Sequence, residues 1–112
     1  MAKKQPLSQA EKEQLEIKRV KIPLEGQVLG VCDQRVGGAR MKVRCLDGVN
    51  RICRIPGRLK RRLWVREGDV LLIEPWELST DKGDVIFKYL PSQVRWLRHK
   101  GYLKGMEELE EF

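Results

Sequence analysis

Seven basic side chains, Arg51, Arg54, Arg58, Lys60, Arg61, Arg62 and Arg66, fall within one stretch that holds no acidic residue. Guanidinium and ammonium groups at that density, with no carboxylates interleaved, are suited to binding phosphates, Arg as a bidentate fork and Lys as a point charge. A second row, Arg40, Lys42 and Arg44, alternates with Met41, Val43 and Cys45, so on a strand the three cations share one side. A run of like charge by itself is more often a solvated face. Here Asp47-Gly48, a hairpin signal, joins the two stretches and makes them spatial neighbours. Crowded cations repel one another, and a polyanion relieves that cost. The whole chain agrees: 112 residues carry a net charge of +7, and 35% of them are charged, against about a quarter in an ordinary domain. Nucleic acid or an anionic membrane is the partner such a balance favours.

The aromatic residues narrow the ligand. Trp64, Trp76, Phe87, Tyr89, Trp96, Tyr102 and Phe112 all lie in the second half of the chain. A sequence-tolerant binder of single strands gains ~1–3 kcal/mol for each base stacked on a ring. The first three strands offer none, which points to phosphate and shape recognition of a folded RNA. Trp64 reads two ways: a core ring beside Leu63 and Val65, the favoured reading, or a ring on the RNA surface. Trp76, Phe87 and Tyr89 read as core, and Trp96 as an anchor for a C-terminal helix.

Other chemistry finds no residues to carry it. His99 stands alone, Asp81 and Asp84 flank Gly83 without the further oxygen ligands that calcium needs, and Gly37-Gly38 lacks any phosphate-loop context. No enzyme, cofactor or metal is expected. Cys32, Cys45 and Cys53 form no C-x-x-C pair, and one histidine does not complete a zinc set, so buried free thiols are expected. Residues 57–66 are too short for a membrane-binding amphipathic helix, and the sequence shows neither a signal peptide nor an apolar run near ~18 residues. A soluble, cytoplasmic monomer is the expectation.

These side chains need a scaffold. Residues 1–21 are basic and poor in large apolar groups. Ser8 and Glu11 fit a capping box, but a frayed, mobile N-terminal tail is favoured. Residues 22–90 read as five short strands, with turns at 37–38, 47–48, 67–69 and 81–84. Gly30 sits where a barrel strand would bend. A connector of about a dozen residues between the third and fourth strands favours a five-stranded OB-fold barrel over an SH3-like one, because an OB-fold plugs that gap with a helix or loop. Residues 91–112 read as a helix opening at Pro91 or Ser92 and stopped by Gly101, then a short acidic end in which Met106, Leu109 and Phe112 weakly suggest a further turn. The fold class is all-β, with a C-terminal helix.

"DGVNRICRIPGRLKRRLWVREGDVLLIEPWE" followed by "DKGDVIFKYLPSQVRWLRHKG" resembles the translation initiation factor 1A family in its archaeal form. The resemblance covers about residues 24–102 and rests on R-I-P-G-x-L-x-x-R-x-W-V with downstream G-D-V and D-V-I-x-K-Y. The eukaryotic form usually reads R-G where this chain has Pro56-Gly57, and it carries a long acidic tail where this chain has "EELEE". The resemblance implies an OB-fold on the small ribosomal subunit at the decoding A site, in contact with rRNA. It also implies a part in subunit dissociation and in stabilising initiator methionyl-tRNA, beside other initiation factors. The family's RNA-facing residues fall on Arg54, Arg58, Lys60, Arg61 and Arg62. The residues themselves add Arg40, Lys42 and Arg44, with Arg51 and Trp64 completing the expected RNA surface. Two other readings stand beside it: a general RNA-binding OB-fold protein or RNA chaperone, and a protein-binding adaptor.

Overall fold

The computed structural model describes residues 6–60 and 63–104. Five strands close a barrel: β1 (Val28–Gly37), β2 (Arg40–Cys45), β3 (Asn50–Arg54), β4 (Val70–Pro75) and β5 (Lys82–Lys88). Their order around it is β1-β2-β3-β5-β4. All neighbours are antiparallel except β3 and β5, which run parallel. This is the OB-fold the sequence predicts. The β1–β2 turn works because Gly37 and Gly38 take φ of +108° and +57°, where a Cβ would be strained. At Asp47-Gly48 the aspartate carboxylate accepts from Val49 N at 3.1 Å and Gly48 has φ +86°.

Alternation sorts the strands. Met41, Val43 and Cys45 of β2 and Cys53 of β3 point into a core completed by Cys32, Ile55, Val65, Leu71, Ile73 and Val85. Burying such side chains contributes roughly 1.5–3 kcal/mol for each large aliphatic one. Gly30 is buried where β1 crosses close to β2: a Cβ there would lie 2.6 Å from Val43 Cγ1 and 3.1 Å from the Arg44 carbonyl oxygen. It therefore marks a close approach rather than a special φ. The β3–β4 connector plugs the barrel as expected, with a single 3₁₀ turn over Gly57–Leu59, Leu59 and Leu63 packed on the core and Val65 inside it.

The C-terminal helix, Pro91–His99, ends at Gly101 with φ +84°. Tyr102 N donates to Leu97 O at 3.0 Å and Gly101 N to Arg98 O at 3.2 Å, a Schellman closure. Leu97 and Leu103 join Leu29, Val70, Leu72 and Tyr89 in a second core outside the barrel, against which Trp96 packs. The suggested turn at Met106, Leu109 and Phe112 lies outside the described residues.

The N-terminal segment takes the short helix that its capping box allowed. Gln9–Lys18 is a helix, called α1, with the Pro91–His99 helix as α2. Ser8 Oγ accepts from Glu11 N at 3.2 Å, so the capping signal prevails over the low apolar content. No residue of α1 is fully buried. Polar contacts hold it instead: Ser92 Oγ donates to the Glu16 carboxylate, Gln93 Nε2 to Glu16 O at 2.8 Å, and Arg95 to Glu13 at 2.9 Å. Apolar counting does not see that kind of docking.

Candidate nucleic-acid interface

The outward rows of β2 and β3 meet in register. Arg40 lies opposite Arg54, Lys42 opposite Ile52, and Arg44 opposite Asn50. Arg40 and Lys42 are exposed and make no salt bridge to another described residue. Arg44 is half-buried and pairs with Asp33 at 3.2 Å. Arg54 is exposed and held by Asp84 at 3.0 Å. Arg58 and Lys60 stand exposed on and just after the 3₁₀ turn. Arg61 and Arg62 lie outside the described residues.

Arg51 departs from the expected surface. It is 5% exposed and faces inward, opposite Val43. Its Nη1 and Nη2 fork onto Asp47 at 3.0 and 2.9 Å, and its Nε donates to Thr80 O at 2.7 Å. The guanidinium therefore ties the β2–β3 hairpin to the β4–β5 loop. Burial alone would raise the Asp47 pKa, but the Arg51 hydrogen bonds and the Val49 N–H outweigh it and hold the carboxyl below its ordinary value. The signal was in the sequence: with Cys53 and Ile55 inward, position 51 has inward parity.

Trp64, favoured as core, is 60% exposed, with the Arg35 guanidinium 4.9 Å above its ring. Its neighbours Leu63 and Val65 do the anchoring, and Lys88 Nζ pins the backbone by donating to Trp64 O at 2.7 Å. Trp76, also read as core, is only half-buried and lies against the β3 face, its ring 4.9 Å beneath Arg54 and 5.8 Å from Lys82 Nζ. The basic face is thus bordered by two indoles that no early strand supplies. Tyr89 is core as expected, and Phe87 is half-buried at 4.9 Å from it.

Three shallow concavities run together over this surface. Arg35, Lys60 and Trp64 line the first, Lys60, Arg40 and Arg54 the second, and Arg40, Arg54, Lys82 and Trp76 the third. Shared residues make them one path from Trp64 to Trp76. Sequence reasoning missed Arg35, and also Lys82, which fell in the 81–84 turn; strand parity through Val85 would have turned Lys82 outward, whereas nothing local foretells Trp76. Cations with stacked rings along a groove can take up phosphates and unpaired bases.

The three cysteines are free and buried. Burial, then the nearby Asp69 and Glu67, pushes Cys32 up to about 11, and burial pushes Cys53 to about 12. Cys45 is raised by burial despite the Arg51 hydrogen bond. Such thiols are poor nucleophiles. Among the described residues no group of His, Cys, Asp and Glu is placed to hold a metal ion, and no helix is long and apolar enough to cross a membrane.

The sequence profile described as "Translation initiation factor 1A / IF-1" matches residues 17–111. The chain is 53% identical over 91 residues to a translation initiation factor 1A of Methanococcus maripaludis, covering 79% of this chain and 88% of that protein. It is 48% identical over 90 residues to the one from Methanothermobacter thermautotrophicus, covering 80% and 91%. Among solved structures, that of translation initiation factor IF-1 from the Wolbachia endosymbiont of Brugia malayi superimposes with a TM-score of 0.48 at 22% identity, covering 62% of this chain and 83% of that one.

Proposed function

From the premise that the chain belongs to the translation initiation factor 1A / IF-1 family and has a role in translation initiation, we propose that it binds the small ribosomal subunit near the decoding A site through rRNA, and that there it promotes subunit dissociation and stabilises initiator methionyl-tRNA. The observation that carries the reading is the basic path itself: Arg40, Lys42, Arg54 and Lys60 exposed along one side of the barrel. A rigid sheet holding cations in fixed register matches the fixed phosphate positions of a folded RNA, where a flexible basic tail would not. The protein acts by binding, as a factor and not as an enzyme.

Co-sedimentation with purified small subunits at two salt concentrations, in excess unstructured RNA, tests this. Log affinity falls by ~0.7–0.9 per phosphate contacted for each decade of salt. Salt-sensitive binding that survives the competitor supports a ribosomal site. Binding abolished by the competitor favours a second reading, a general RNA-binding OB-fold protein, which the exposed ring of Trp64 and the half-buried ring of Trp76 support.

A further inference from the structure

Arg54 is held by a carboxylate and a ring together. Its Nε donates to Asp84 Oδ1 at 3.0 Å, and Trp76 Nε1 donates to the same oxygen at 3.1 Å. The guanidinium carbon lies 4.9 Å from the centre of the Trp76 ring. Asp84 and Arg54 are register partners on the parallel β3–β5 pair, so the backbone sets the two side chains beside each other. One edge and one face of the guanidinium are therefore occupied from within the protein. The two Nη groups make no hydrogen bond among the described residues, and the side chain is 56% exposed. Arg40, opposite in register, and Lys82, beside the ring, line the same concavity.

We infer that Arg54, with Arg40 and Lys82, forms a pre-positioned clamp for one phosphodiester of bound RNA, and that Asp84 and Trp76 are the positioning residues that set the Arg54 fork. The inference rests on the RNA-binding reading above and adds three residues to it: Asp84, Trp76 and Lys82. A free arginine loses rotamer freedom when it closes on a phosphate. One already held by a carboxylate and a ring has lost that freedom in advance, so the contact costs less. The single negative charge of Asp84 faces three cations, so the clamp keeps a positive balance suited to a singly charged phosphodiester.

The consequence runs against simple electrostatics. If Asp84 only repelled RNA, removing it would tighten binding. If it positions Arg54, the truncation weakens binding. Small-subunit affinity is measured by co-sedimentation for wild type, Asp84→Ala and Asp84→Asn, with thermal unfolding run in parallel. Asp84→Ala is expected to bind five- to tenfold more weakly, with a log–log salt slope shallower by ~0.7–0.9, one phosphate contact. Asp84→Asn retains an acceptor oxygen without the charge and is expected to bind at least as tightly as wild type. Should Asp84→Ala fail to fold, Trp76→Ala tests the same point by removing the ring and is expected to show the same loss. In an Arg54→Ala background neither truncation should cost anything further, because the positioned group is gone. Asp84→Ala or Trp76→Ala binding as tightly as wild type, or more tightly, overturns the clamp while leaving the RNA reading intact. A wild type that does not bind subunits overturns both.

Discussion

Replacing Arg51 with methionine separates a structural cation from a ligand-binding one. The side chain is 5% exposed and donates twice to Asp47 and once to Thr80 O. Breaking a buried ion pair costs about 3–5 kcal/mol, whereas exposed pairs contribute about 0–1 kcal/mol. This pair lies between the two, because the Asp47 side chain is 40% exposed and water takes over part of its solvation once the partner is gone. A loss of about 2 kcal/mol follows, lowering Tm by on the order of 8 °C for a domain of this size. The pH dependence carries a second signature. The Asp47 pKa is lowered from 3.8 in the folded state, so its stabilisation is present above that value and is lost as pH falls through the folded one. The wild-type and Arg51→Met unfolding curves should therefore lie apart at pH 7 and draw together as the pH falls below 3.8. Small-subunit affinity, read well below both melting temperatures, should keep the wild-type salt slope. An Arg51→Met protein with unchanged Tm and reduced affinity would refute the reasoning and return Arg51 to the RNA surface.

Gly30→Ala introduces a Cβ 2.6 Å from Val43 Cγ1 and 3.1 Å from a backbone oxygen that cannot move freely; overpacking of this kind costs about 1–3 kcal/mol, and an unchanged urea midpoint would contradict it. The three thiols should be inert to a disulfide reagent at pH 8 in the native state and all react once urea unfolds the chain; a fast native reaction would mean the barrel opens. Because Cys32 and Cys53 keep their protons up to about 11 and 12 when folded, against 9.0 unfolded, their contribution is intact below pH 9 and shrinks as pH rises through the folded values, so the urea midpoint should be lower at pH 10 than at pH 7.5. Lys60→Glu, at an exposed position between two of the concavities, should weaken subunit binding at low salt with Tm unchanged within about 2 °C, and equal affinity would remove Lys60 from the path.

Much of the fold was written locally. The period-2 pattern of β2 fixed which of Arg40 to Cys45 face the core, because a pleated strand has only two sides. Asp47-Gly48, Gly37-Gly38 and Gly101 named their turns and cap through backbone conformations that side-chain-bearing residues avoid. The long connector, with Val65 inside it, declared the plug. Net charge and the acid-free run predicted a basic face, and the matched family supports a role in translation initiation.

What the tertiary structure alone decided is which cations are available. Arg51 and Arg54 are three residues apart in the same charged run, yet one is bound inside the barrel by Thr80 and Asp47 and the other lies outside on Trp76. Thr80 and Trp76 come from the β4–β5 region, far along the chain, and reach β3 only because the barrel closes through the β3–β5 pairing. Trp64 and Trp76 became surface rings for the same reason, since burial belongs to the closed barrel and not to the residue type. Sequence patterns report periodicity and charge, both local; a guanidinium's partner is set by strands that meet only after folding.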